Sequence, residues 1–182
     1  MLKTLSKRNN LVFTFLHIVA WIIFVGLCIE AGALIVNFVF SLFKPEVVDN
    51  LYQKLDLSQM YNHNKWAYFG MYSFILVISV LKAFLFYIVI RLLLKLDLAK
   101  PFSIYVAEQI KLMSYYTFMI GILSLIARES SQRLMDRGFD IDILDQFWAD
   151  SKAYILMAAV IYVIASIFSR GVELQNENEL TV

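Results

Sequence analysis

Cysteine occurs once, at Cys28, so no disulfide can close within the chain and no cysteine-based metal site of the usual spacing can be assembled. Histidine is almost as rare. His17 and His63 are too few and too far apart for a haem-binding pair. The chain carries no His-Glu-x-x-His, no Gly-x-Ser-x-Gly, no phosphate loop and no paired intramembrane aspartates, which removes the common signatures of hydrolysis and phosphoryl transfer. Catalysis is not expected, and neither is a cofactor. Charge is balanced as well as scarce, at 16 basic against 15 acidic residues, with the basic residues scattered over every element. No footprint for direct nucleic-acid binding results.

What the chain has in place of these is apolar length. Of its 182 residues 60% are apolar and the mean hydropathy is +0.68, well outside the range of an ordinary soluble domain. Four apolar runs fall at roughly 11–43, 66–94, 109–127 and 152–169. A helix needs about 20 residues to cross the hydrocarbon core, so the predicted architecture is an all-α, integral membrane four-helix bundle. A short external amphipathic helix and helix extensions beyond the bilayer complete it. The connecting segments leave no room for a soluble domain, and residues 1–182 read as one transmembrane domain. Its helices are expected at roughly 11–43, 66–94, 104–137 and 142–170, with a short cytoplasmic tail at 171–182.

Lys3, Lys7 and Arg8 ahead of the first run resemble a signal peptide, with Ala31-Gly32-Ala33 as a small-residue site. The apolar stretch before that point is too long for a signal core and resumes directly at Leu34, so the first helix is expected to be retained. Those three basic residues, with only Lys44 following closely, place the N-terminus in the cytoplasm. An even number of crossings returns the C-terminus to the same side, and the expected location is a bacterial inner membrane.

One lysine interrupts the second run. Phe74 to Leu92 holds fourteen Leu, Ile, Val or Phe residues, which together outweigh the roughly 2.5 to 3.5 kcal/mol cost of a central Lys82. The lysine still needs a partner. Glu30, the acid inside another run, comes to similar depth if the first two helices form an antiparallel hairpin. Two readings stay open: the pair merely neutralises itself and fixes packing, or it forms a polar site for a proton, ion or ligand with Ser79 and Asn37 beside it.

Small residues mark the packing faces. Gly26, Glu30, Ala33 and Asn37 recur at spacings of four, three and four on the first helix and are expected to face other helices. Ser114, Thr117, Gly121, Ser124 and Arg128 form a seam on the third, which makes it the expected centre of the bundle. Ala158, Tyr162, Ala165 and Ser169 face it from the fourth. Cys28 reads as a small core residue.

The loops hold fewer signals. Val48, Leu51, Tyr52 and Leu55 repeat at helical spacing after Pro45, the basis for the external amphipathic helix. Tyr61, Trp66, Tyr68 and Tyr72 are expected at the membrane interface, and His63 in a solvated loop. Gly138 is a plausible stop for the third helix. Asp140, Asp142, Asp145 and Asp150 lack the glycine and closing glutamate of a calcium loop, and capping of the fourth helix explains them more simply.

Lys100-Pro101-Phe102-Ser103 before the third helix, with Gly171-Val172-Glu173-Leu174 and Glu177-Asn178-Glu179-Leu180-Thr181-Val182 at the end, resemble a bacterial domain-of-unknown-function family of small four-helix inner-membrane proteins. The resemblance covers about Trp66 to Val182. Members are often encoded beside a small helix-turn-helix regulator, so the resemblance implies such a protein as a cytoplasmic partner, with no catalytic residues to carry over. Pro101, Phe102, Ser103, Glu173, Leu174 and Leu180 are the candidate partner-binding residues. The expected function is therefore a regulatory or scaffolding membrane protein. Its alternative is a small transporter, channel or accessory subunit using Glu30 and Lys82, which would need a homo-oligomer to enclose a path.

Overall fold

The computed structural model describes residues 2–44, 46, 48, 51, 56–96, 101–139 and 142–180, with side chains described among these from 12 to 177 except 142 and 143. It is an all-α four-helix bundle. The long helices are α1 (Leu2–Phe43), α3 (Lys65–Lys95), α4 (Ile104–Met135) and α5 (Ser151–Leu180), joined by the short α2 (Ser58–His63) and a 3-10 turn at Asp142–Phe147. Four segments are long and apolar enough to cross a membrane: Val12–Phe43, Lys65–Lys95, Ile104–Met135 and Leu144–Glu177. This is a multi-pass membrane protein. The start of α1 and the end of α5 lie at the end of the bundle where α3 stops and α4 begins, here called the terminal end; the other two connections leave from the opposite, loop end.

The helices begin and stop where local chemistry directs. Asn64 is extended, and its Oδ1 accepts from the Trp66 and Ala67 amides at 3.0 and 3.3 Å, capping α3. Asn64→Ala is expected to cost about 1 kcal/mol in a detergent unfolding titration. Ser103 does the same for α4, accepting from the Val106 amide. At the far end of α4, Gly138 takes φ +89° and donates to the Met135 carbonyl, while the Phe139 amide reaches back to Leu134. That left-handed stop suits glycine alone among ordinary residues. Ahead of α2, Asp56 accepts from the Ser58 amide, and bonding to the Ser58 side chain and then its backbone holds the Asp56 carboxyl below its ordinary value.

Packing follows chain order: α1 lies on α3, α3 on α4, and α4 on α5. Among the described residues no interface of comparable extent joins α3 to α5, or α1 to α4 or α5. The bundle is therefore an open row. Burial agrees with that order, since 39% of the apolar window of α4 is buried against 6% for α1. So α4 is central and α1 stands at the edge.

Several boundaries and placements differ from the sequence reading. The fourth helix was expected from 142 but starts at Ser151, after the 3-10 turn and a bend at 148–150. The reason is burial: Leu144, Phe147 and Trp148 fold inward over the core and leave no straight path for a helix there. At its other end the helix runs to Leu180, so most of the expected tail is helical. Val48 and Leu51 are buried in the main core and join it with Leu57 and Met60, while Tyr52 and Leu55 lie outside the described residues. The rest of the stretch on which the external amphipathic helix was expected lies mostly outside the described residues, and α2 follows it. Asp140 also lies outside the described residues.

Tyr68 and Tyr72, expected at the membrane interface, are 0% exposed, and Tyr61 is nearly so. Phe38 of α1 stacks on Tyr72 and meets Phe69 edge-on, and the Tyr72 hydroxyl donates to the Leu34 carbonyl. These rings clasp α1 to α3, and of the four aromatics expected at the membrane interface only Trp66, at 86% exposure, is turned outward from the bundle. Cys28 is exposed on α1 rather than in the core, because the buried face of that helix runs through Ala20, Ala31, Leu34 and Ser41.

Candidate functional site

The α3–α4 turn and the last turns of α5 meet. Phe102 leaves the turn immediately before the Ser103 cap, and its ring lies 5.4 Å from that of Phe168. A β-carbon on Gly171 would stand 2.5 Å from Phe102 Cδ1, so the absence of a side chain is what lets the ring rest against α5. Val172 is buried beside it. Beneath lies a small core of Val106, Ile110 and Ala165, with Leu92, Tyr105, Ile161 and Phe168 packed around it.

Polar groups surround this contact. The Lys95 ammonium sits 4.4 Å from the Tyr105 ring centroid. The Tyr105 hydroxyl and Gln109 Oε1 are buried and find no hydrogen-bond partner among the described residues. Outward, Glu173 accepts from Arg170 at 2.6 Å and Leu174 is 47% exposed. The turn residues Pro101, Phe102 and Ser103 thus share one end of the molecule with Glu173 and Leu174. Leu180 is helical, though its side chain and all of Lys100 lie outside the described residues.

Deeper in the bundle, the expected pairing of Glu30 with Lys82 is not made. Among the described residues no ion pair joins them, and the Lys82 ammonium instead faces the Tyr154 ring of α5, 6.0 Å from its centroid. Depth is not the reason. Phe24 packs on Tyr87 and Phe38 on Tyr72, so Glu30 lies roughly level with residues 80–81 of α3, about 1.5 to 3 Å along the axis from Lys82. The reason is direction. Lys82 stands about a third of a turn away from the α3 residues that face α1, and Glu30 about as far from the α1 residues that face α3. Ser79 is buried and Asn37 half-buried, so neither joins the two charges into one site.

Near Lys82, which faces the lining residue Tyr154, a cavity of about 370 Å³ lies between α3 and α5. Leu85, Phe86 and Val89 form one wall, Tyr154 and Met157 the other, and Met113 and Thr117 the floor. Asp150 lies at its loop end. The cavity exists because α4 holds α3 and α5 apart.

The small-residue positions divide into two groups. On α4, Ser114, Thr117, Gly121 and Ser124 are buried; the Ser114 hydroxyl donates to the Ala158 carbonyl at 3.1 Å and Gly121 lies against Ile155, while Ala165 of α5 packs further along α4 on Val106 and Ile110. On α1, Gly26 is exposed and a β-carbon there would meet nothing within 4 Å. Glu30, Ala33 and Asn37 are each half-buried. That stripe was expected to face other helices of the chain and instead flanks the α3 contact, one residue out of phase with Ala31 and Leu34.

At the loop end, His63 meets the Phe139 ring edge-on at 5.2 Å, beside a cavity of about 140 Å³ lined also by Gln59, Arg137 and Gly138. Among the described residues no group of three metal-ligating side chains occurs. Two features escaped the sequence: the Phe102–Gly171 contact and the α3–α5 cavity. For the first a signal did exist, in the two motifs that flank it.

Comparison with known families matches the chain to the family described as "Protein of unknown function (DUF2975)", over residues 51–182, well over half of the chain. No curated protein and no solved structure matches.

Proposed function

The chain belongs to the DUF2975 family of unknown function, and from that premise we propose a regulatory or scaffolding role in which the terminal end binds a cytoplasmic partner. One observation carries the reading. Two motifs separated by about seventy residues converge at Phe102 and Gly171, and from that contact α5 continues past the core as a helix with Leu174 turned outward. A helix extension of this kind offers apolar anchors on a preformed scaffold, which lowers the ordering cost of binding. Its acids, Glu173 and Glu177, suit a basic partner such as a small helix-turn-helix transcription regulator. The expected membrane is the bacterial inner membrane, with both termini in the cytoplasm.

A transporter, channel or accessory subunit working through Glu30 and Lys82 has less support, since the two are not joined and the helices stand in a row rather than around a lumen. The test is crosslinked capture from native membranes with the full chain, with Leu174→Asp, and with the chain ended after Gly171. Leu174 is exposed, so its replacement leaves the bundle intact. Recovery of a small cytoplasmic protein is expected to fall about tenfold or more in both variants. An identical partner set from all three would overturn the proposal.

A further inference from the structure

The unpaired charges point to a second copy of the chain. Glu30 and Lys82 lie at similar depth in apolar segments, and among the described residues neither has an ion-pair partner. An unpaired charge at such depth is costly, and pairing relieves the cost. Counting about 100° per residue around each helix, the Gly26–Glu30–Ala33–Asn37 stripe of α1 and the Lys82 side of α3 point to the same side of the row. On that side α1 offers small residues and one acid. The α3–α5 cavity offers apolar walls, and Lys82 stands next to it, over the ring of the lining residue Tyr154.

We propose that two copies associate about a two-fold axis along the membrane normal, the α1 stripe of each entering the α3–α5 cavity of the other, so that Glu30 meets Lys82 of the partner subunit. A two-fold axis of that direction keeps every residue at its own depth, and the two ion pairs form at once because the interface is self-complementary. Gly26 is suited to the contact: open space over its α-carbon lets the second copy approach the α1 backbone closely. Phe86 and Gly26, each one turn toward the terminal end from its charged neighbour, come together next. Asp150 stands at the loop end of the cavity and bounds the reach of Lys82 there.

The experiment measures association of the full chain in nanodiscs, by mass and by exchange between differently tagged copies. The wild type is expected to dimerise, and Glu30→Lys and Lys82→Glu each to weaken dimerisation about tenfold or more. Mixing those two variants restores association, because each then offers the charge the other lacks. A wild type that stays monomeric, single variants that dimerise as well as the wild type, or a mixture that does not associate would each overturn the proposal. Should either charge variant fail to fold, a second measurement decides. In a Cys28→Ser background, copies carrying Gly26→Cys and copies carrying Phe86→Cys are expected to form an intermolecular disulfide when mixed in membranes, and its absence would overturn the proposal equally.

Discussion

Replacing Gly121 with leucine is expected to drive α4 and α5 apart and to lower stability by about 3 kcal/mol or more. A β-carbon at this position would stand 2.7 Å from Ile155 Cγ1, 3.0 Å from the Ile155 amide nitrogen and 3.3 Å from the Ser151 carbonyl oxygen. The first contact could relax by rotation of a side chain. The other two are backbone, and only displacement of α5 relieves them. Displacement in turn stretches the hydrogen bond from Ser114 to the Ala158 carbonyl, two turns away on the same seam. Gly121→Ala is expected to cost about 1 to 2 kcal/mol, because a single methyl needs a smaller shift. For a chain of this size, 3 kcal/mol corresponds to a fall of about 6 to 12 °C in the unfolding midpoint, read by tryptophan fluorescence in detergent. A leucine variant that melts within about 2 °C of the wild type would show that α5 is not seated as described.

Trp148→Ala is expected to cost about 3 to 5 kcal/mol, comparable to or larger than the leucine substitution. The indole is 1% exposed and is the largest of the fully buried side chains. It packs in the core at the loop end with Leu144 and Phe147, and its Nε1 donates to Asp145 Oδ1 at 3.1 Å. Its removal leaves a cavity beneath the bend that starts α5, where the short 3-10 turn has little structure of its own to resist collapse. Trp148→Phe, which keeps most of the apolar volume and loses the hydrogen bond, is expected to cost about half as much. Unfolding midpoints and the rate of protease cleavage in the loop before α5 both report the difference. Equal midpoints for Trp148→Ala and the wild type would place the indole outside the core.

The positions of the crossings were legible in the sequence because hydropathy is a sum over many residues, and no single placement alters it. The central place of α4 was legible for a similar reason: its seam runs through five positions at consistent spacing. Facing is a different matter. On a helix one residue is worth about 100°, so the Gly26–Glu30 stripe and the Ala31–Leu34 face differ by a single step in sequence and by nearly a third of a turn in space. Periodicity singled out the Gly26–Glu30 stripe as the packing face, and α3 covers the neighbouring Ala31–Leu34 face. The aromatic clasp decided it, and that clasp depends on Phe38, Phe69 and Tyr72 from different helices meeting in three dimensions.

The start of α5 was illegible for another reason. Residues 142–150 alternate acids with large apolar side chains, a pattern shared by a capped helix and by a loop that tucks its apolar side chains into a core. Only the cavity that Trp148 fills distinguishes them. At the terminal end the chain has no apolar run beyond residue 169, so nothing in its hydropathy announces that the helix continues. Gly171 even suggests a break there. In the structure that glycine makes room for Phe102 while the helix passes through unbroken.

An unbroken α5 has a mechanical consequence. From Ile155, wedged against Gly121, to Glu177 is about 33 Å of continuous helix. A tilt of about 5° about that wedge carries the far tip sideways by about 3 Å, enough to shift Leu174 relative to whatever rests on it. The rod is therefore a lever, its fulcrum about one turn into α5 and its short arm under the Trp148 plug.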